Sequence, residues 1–341
     1  MLLVVYNHVE YLGMNISPIT SGLHCLVVLF HMPLFFFVSG FVAFRINDAW
    51  DFKSYNAKML KKLRIQIIPM LFFGLLYATT LHAMKHNLTS FESVADFFNH
   101  DMKLGYWFTE SLLIMFILYY TVSFLLRKRK LITRQIALVV ISFLLLMLRK
   151  HIPTDYQQVA DWFCLPLTFT YFQYFVFGII ISCYRDKAFK ILDNQYIRGV
   201  VILLFVGLFI LHYYHVSFVS RKIQTFAIAY LGILTMVNLF RHYADFFSSK
   251  TRIGRGLQYI GRRTLDVYLI HFFFIPSIPM LGVFFSEHNI FILQTTTSIL
   301  LSLLIILFTL IISNIIRTSP FLAYWLLGVK REKSNTAPSI R

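Results

Sequence analysis

The chain alternates long apolar runs with short polar, charge-rich ones. The apolar runs fall at 1–13, 23–44, 66–82, 106–126, 135–148, 163–183, 199–214, 223–240, 264–285 and 290–316. About 20 apolar residues cross a bilayer as a helix, so the pattern predicts ten membrane helices. The first run is too short for a full crossing, and the fifth is also short. The predicted fold class is all-α: a polytopic membrane helical bundle of about ten transmembrane helices, with a truncated first helix. One integral-membrane domain is expected over 1–330, followed by a polar cytoplasmic tail over 331–341.

The second run is the most unusual. Between Gly22 and Phe44 it has no charge, yet it carries His31, Pro33 and the pair Ser39-Gly40. Lipid penalises polar groups at depth, so such residues are expected to face a bundle interior or a water-filled cavity. A second histidine, His8, lies in the preceding apolar segment. Two imidazoles on neighbouring helices predict a polar chamber inside the bundle.

Composition strengthens this reading. The 341 residues are 58% hydrophobic and 14% charged, with mean hydropathy +0.68. A soluble chain would carry about a quarter charged residues. Charge then sets the orientation. With 14–22 placed outside, the inner segments 45–65, 127–134, 184–198, 241–263 and 317–341 hold 26 of the 32 Lys and Arg. That bias follows the positive-inside rule and puts both termini in the cytoplasm. It also accounts for the net charge of +17 without nucleic acid as a partner. The stretch 53–65 reads as a basic amphipathic helix on the inner membrane surface, with Pro69 opening the third span. Cys25, Cys164 and Cys183 lack metal or redox spacing and read as small core residues. Gly254, Gly256 and Gly261 do not have dinucleotide-site spacing.

Several residues could carry chemistry. A neutral imidazole at His8 suits general-base work, because its pKa lies near the working pH. His31 is a second candidate, and each imidazole could equally serve as a helix–helix hydrogen bonder. Glu110, about a turn inside the outer surface, could orient an imidazole or bind a hydroxyl; a snorkelling interfacial charge is the plainer reading. Asp266 is expected near the inner interface, paired with Arg262 or Arg263. His271 lies eight residues beyond Arg263, about 12 Å deeper at 1.5 Å per residue. The basic inner face, including Lys58, Lys61, Lys62 and Arg64, could clamp phosphates or anionic membrane lipid. No metal constellation is expected; His82 with His86 and His212 with His215 lie at loop edges.

Five elements in this order resemble the acyltransferase-3 family of bacterial integral-membrane sugar O-acyltransferases, including fucose 4-O-acetylase-like members. They are Leu3-Val-Val-Tyr-Asn-His8, Phe30 to Phe41, the basic run ending in Arg64 before Ile68-Pro69, Tyr106-Trp107-Phe108, and Gly261 through His271. The resemblance implies an O-acyltransferase that moves an acyl group, expected to be acetyl, from acyl-CoA to a hydroxyl of a cell-surface glycan or lipid-linked sugar. No tightly bound cofactor is implied: acyl-CoA, with acetyl-CoA as the expected donor, is a substrate. It further implies His8 as the essential base; His31 and Glu110 stand beside it as further catalytic candidates on the reading of the residues alone. Arg64, Lys61, Lys62 and Arg45 are donor-binding candidates, and Ser39, Trp107 and His271 are further pocket candidates. The implied location is the bacterial cytoplasmic membrane.

Two departures stand out. The family's Arg eleven positions before the histidine would fall at −3, ahead of Met1, so either an earlier start or an incomplete donor site is expected. The approach to Pro69 has Gln66 where the family pattern has Arg. The rival reading is a multi-pass exporter or flippase of a polysaccharide precursor, which would use the same chamber as a conduit. Symmetric halves with broken helices would favour it, and none are evident.

Overall fold

The computed structural model describes residues 1–330 apart from Thr20, Asn47, Ala49, Ser217, Phe218 and Asn289. The expected tail, 331–341, lies outside the described residues. The described residues are helical, with no strand among them.

All ten apolar runs become helices. The first, α1, is Leu2–His8 continuing as a π-turn over Val9–Gly13. Then come α2 (Gly22–Ala43), α3 (Phe52–Tyr77, prolonged to His86), α4 (Ser90–Asn99), α5 (Trp107–Leu125), α6 (Leu131–Leu148), α7 (Leu165–Cys183), α8 (Gln195–Tyr213) and α9 (Arg221–His242). A short α10 (Arg252–Arg262) precedes α11 (Thr264–Ile270), α12 (Pro279–His288), α13 (Phe291–Arg317) and α14 (Pro320–Leu326). Eight of these are long and apolar enough to cross a membrane: α2, extended α3, α5, α6 with its 3₁₀ extension to His151, α7, α8, α9 and α13. The protein is therefore a multi-pass helical membrane protein.

Two of the expected ten spans take another form. The run 264–285 is not one straight helix. It is α11 with its 3₁₀ extension to Phe274, then α12, bent by 91°. Ile275-Pro276-Ser277-Ile278 separates them and Pro279 opens α12; neither proline has the N–H that a continuous helix would need. The first run stays a short helix wedged against α2 and α13. Its end is tied to the bend, because the Ile278 N–H donates to the Gly13 carbonyl at 2.8 Å.

The stretch 53–65 is also corrected. It is not a separate surface helix but the first half of α3, which runs unbroken through Pro69. The Asp51 carboxylate caps its start by accepting from the Ser54 N–H at 2.6 Å. No helix breaker follows until Pro69. The helix that carries the third apolar run therefore opens at Phe52 and not at Pro69.

A close backbone approach joins α2 to α7. A Cβ on Gly40 would overlap the Phe175 carbonyl, and one on Gly178 would overlap the Phe37 carbonyl. Hydrophobic driving force is weak between helices in lipid, so close packing through small residues takes its place. An aromatic core follows from this contact. Phe36 lies against Phe108 at 4.9 Å and Tyr171 at 5.3 Å, and Phe175 lies against Phe116 at 5.3 Å.

Candidate functional site

The short helix α1 brings His8 against His271 of the bent pair. His8 Nδ1 and His271 Nε2 are 2.7 Å apart. The rings are nearly parallel, at 6°, with centroids 5.0 Å apart. The nitrogen–nitrogen contact takes up more than half of that separation, so the imidazoles meet edge to edge and not face to face. The N–H and the lone pair of imidazole both lie in the ring plane, so this arrangement suits a hydrogen bond. Phe272 packs on both rings, 4.9 Å from His8 and 4.1 Å from His271.

His271 is fully buried and His8 is half-buried. The His271 Nδ1 lies 2.9 Å from the Val267 carbonyl and 2.8 Å from that of Tyr268. The Val267 carbonyl also accepts the backbone N–H of His271, and a carbonyl oxygen has a second lone pair for the ring N–H. Two tyrosines fix this helix end. The Tyr106 hydroxyl donates to the Leu269 carbonyl at 2.9 Å. The Tyr268 hydroxyl donates to Gly105 at 2.7 Å and accepts the Phe108 N–H at 3.2 Å. The aromatic element at 106–108 and the element ending in His271 are thus one structural unit. Trp107 contributes packing, its ring 6.0 Å from Phe36 and 5.5 Å from Tyr171.

A second polar chain runs from α1, and the sequence reading did not include it. Glu10 is completely buried. Its carboxylate accepts from Gln294 Nε2 at 2.7 Å and from the Ser298 hydroxyl at 2.6 Å. Gln294 and Ser298 are four apart on α13, so they share the face that meets α1. His24 Nδ1 lies 3.9 Å from the same carboxylate, and its Nε2 lies 2.8 Å from Asn7 Oδ1. A carboxylate inside an apolar run was the available signal.

The other candidates lie elsewhere. His31 is buried and points its Nδ1 at the Val27 carbonyl of its own helix, 2.8 Å away. Ser39 is eight residues further along α2, about 12 Å down the axis, so it does not share a site with His31. Glu110 is not an orienter of either histidine in this structure: its carboxylate accepts from Cys164 Sγ at 3.3 Å. Cys164 also contacts the Asp101 carbonyl at 3.0 Å.

Asp266 is paired with neither Arg262 nor Arg263. It accepts from Arg317 Nη2 at 2.6 Å and from the Ser313 hydroxyl at 2.6 Å. The helix turn carries Asp266 toward α13, away from its charged neighbours in sequence.

The four basic donor candidates have different surroundings. Arg64 donates to the Tyr324 carbonyl and lies over that ring at 3.8 Å. Lys62 lies over the Phe116 ring at 3.3 Å. Lys61 and Arg45 are exposed. Lys58 pairs with Asp48 at 3.0 Å. Among the described residues no group of three or more His, Cys, Asp or Glu is placed to hold a metal.

No curated protein and no solved structure matches the chain. A family model does: the acyltransferase-3 model, described as an acyltransferase domain, matches residues 1–318. That span holds α1 through α13, with His8, Glu10, His271 and the tyrosines that fix them. The chain belongs to the acyltransferase-3 family.

Proposed function

We propose that this protein is an integral-membrane O-acyltransferase in which His8 is the general base. The donor is acyl-CoA, with acetyl-CoA the expected form, and the acceptor is a hydroxyl of a cell-surface glycan or lipid-linked sugar. Family membership supports acyl transfer. One observation carries the assignment of the base. His8 is anchored through Nδ1, while its Nε2 has no partner among the described residues, and the residue is half-buried.

In the reaction, the acceptor hydroxyl oxygen attacks the thioester carbonyl carbon while His8 Nε2 takes its proton. The tetrahedral intermediate collapses with loss of the CoA thiolate. The proton on His8 passes to that thiolate, and the base is regenerated. A positioned base contributes about 10²–10⁴-fold. The exposed cations Arg45 and Lys61 would meet the CoA phosphates from the cytoplasmic side. The protein would reside in a bacterial cytoplasmic membrane with both termini inside.

The test is transfer in liposomes holding purified protein, acetyl-CoA and a hydroxyl acceptor, with free thiol release as the readout. His8→Ala is expected to insert normally, bind donor and lose at least 10²-fold in kcat. Near-native transfer by His8→Ala would refute the assigned base. Absence of thiol release from the native protein with every acceptor class would favour the exporter reading.

A further inference from the structure

We propose that His271 is a positioning residue that fixes the tautomer of His8. The inference rests on the assignment of His8 as the base and adds the element that makes its Nε2 the basic atom.

The argument follows the protons. The Val267 and Tyr268 carbonyls can only accept, and both lie within 2.9 Å of His271 Nδ1. That nitrogen therefore carries the hydrogen. A neutral imidazole has one N–H, so His271 Nε2 presents a lone pair. The partner 2.7 Å away, His8 Nδ1, must then be the donor. In its neutral form His8 then carries its hydrogen on Nδ1, which leaves the lone pair on Nε2. Charging both imidazoles would set two cations against each other at 2.7 Å in an apolar setting, which is strongly disfavoured.

The chain of dependence starts in the fold. The helix α11 ends at Ile270, and the Val267 and Tyr268 carbonyls of its last turn lie at His271 Nδ1, that of Val267 while also accepting the His271 backbone N–H. The bonds from Tyr106 and to Gly105 hold that turn against the start of α5. Phe272 covers both rings and limits their rotation. A buried neutral histidine thus takes the place that a carboxylate holds in a Ser–His–Asp triad. Unlike a carboxylate, it selects the tautomer without placing a negative charge in the bundle.

The experiment separates tautomer control from packing. In His271→Gln, the side-chain oxygen can still accept from His8 Nδ1. In His271→Phe, volume is kept and the acceptor is lost. The expected result is that His271→Gln keeps transfer within about tenfold of native. His271→Phe is expected to lose about 10²-fold in kcat with donor KM unchanged, as fits a group that matters through the base. Equal, near-native kcat in both variants would overturn the proposal.

A spectroscopic measurement on the native protein holds even if neither variant folds. In ¹⁵N spectra of histidine-labelled protein in detergent, assigned with His8→Gln, His8 should show a protonated Nδ1 and a bare Nε2. A protonated Nε2 would overturn the proposal. If His8→Ala abolishes transfer while His271→Phe does not, the base assignment stands and only this inference falls.

Discussion

The Tyr268 hydroxyl bridges two segments 163 residues apart, donating to the Gly105 carbonyl at 2.7 Å while accepting the Phe108 N–H at 3.2 Å. One phenol thus satisfies both sides of the entry to α5, where Gly105 sits at φ +102°. A Cβ at that glycine would collide with the Phe272 ring, the ring that covers His8 and His271.

Tyr268→Phe therefore strands a buried N–H and removes the donor to a carbonyl. An unsatisfied buried group costs about 1–3 kcal/mol. Thermal unfolding in detergent should show a lowered midpoint. Transfer should fall in the same variant, because the turn that holds His271 loses one of its two ties. An unchanged midpoint would mean that water replaces the phenol.

The contact between α2 and α7 depends on two missing side chains. Gly40→Leu and Gly178→Leu are each expected to prevent the helices from meeting, with little folded, monodisperse protein recovered. Gly207→Leu is the control, since a Cβ there meets nothing within 4 Å. Size-exclusion profiles after extraction provide the comparison.

Glu10 should be costly to leave without its donors. Gln294→Leu or Ser298→Ala removes one charge-assisted hydrogen bond, worth about 1.5–3 kcal/mol. Glu10→Gln should be milder than Gln294→Leu, because it removes the buried charge and not its partner. The ranking can be read from unfolding midpoints, and the reverse order would show that the two acceptor oxygens of Glu10 matter more than the cost of its buried charge.

Two ion pairs in this protein should behave differently. Asp266 is 2% exposed, so Arg317→Leu leaves a buried carboxylate without its cation, a loss of about 3–5 kcal/mol. Asp193, outside the membrane helices, is 52% exposed and accepts from Arg241 at 2.8 and 2.5 Å. The Arg241 guanidinium holds the Asp193 carboxyl below the usual carboxylate range. Its contribution is therefore present above the unfolded Asp value of about 3.9 and is lost as pH falls through the lower folded value. Arg241→Leu should cost less than about 1 kcal/mol at neutral pH, and less again in high salt. A large loss would show that the pair is shielded from solvent.

The membrane bundle was legible in the sequence because lipid imposes a one-dimensional rule. Every backbone group must be satisfied within the span, so a crossing needs a long apolar run. The ten runs, the basic segments between them and the standing of His8 and His271 as candidates all follow from local pattern. The bend after His271 was less plain, although Pro276 and Pro279 mark it, because apolar composition continues across the break.

The pairings came only from the tertiary structure. Asp266 has two arginines within four residues, yet its partner is Arg317, because helical phase aims it at another helix. Glu110 reaches Cys164 and not an imidazole for the same reason. Sequence distance says nothing about which faces of two helices meet: His8 and His271 are 263 residues apart, and their 2.7 Å contact exists because a short helix lodges beside a bend. The sequence by itself determined that polar groups lie among apolar helices; packing decided which of them share a proton.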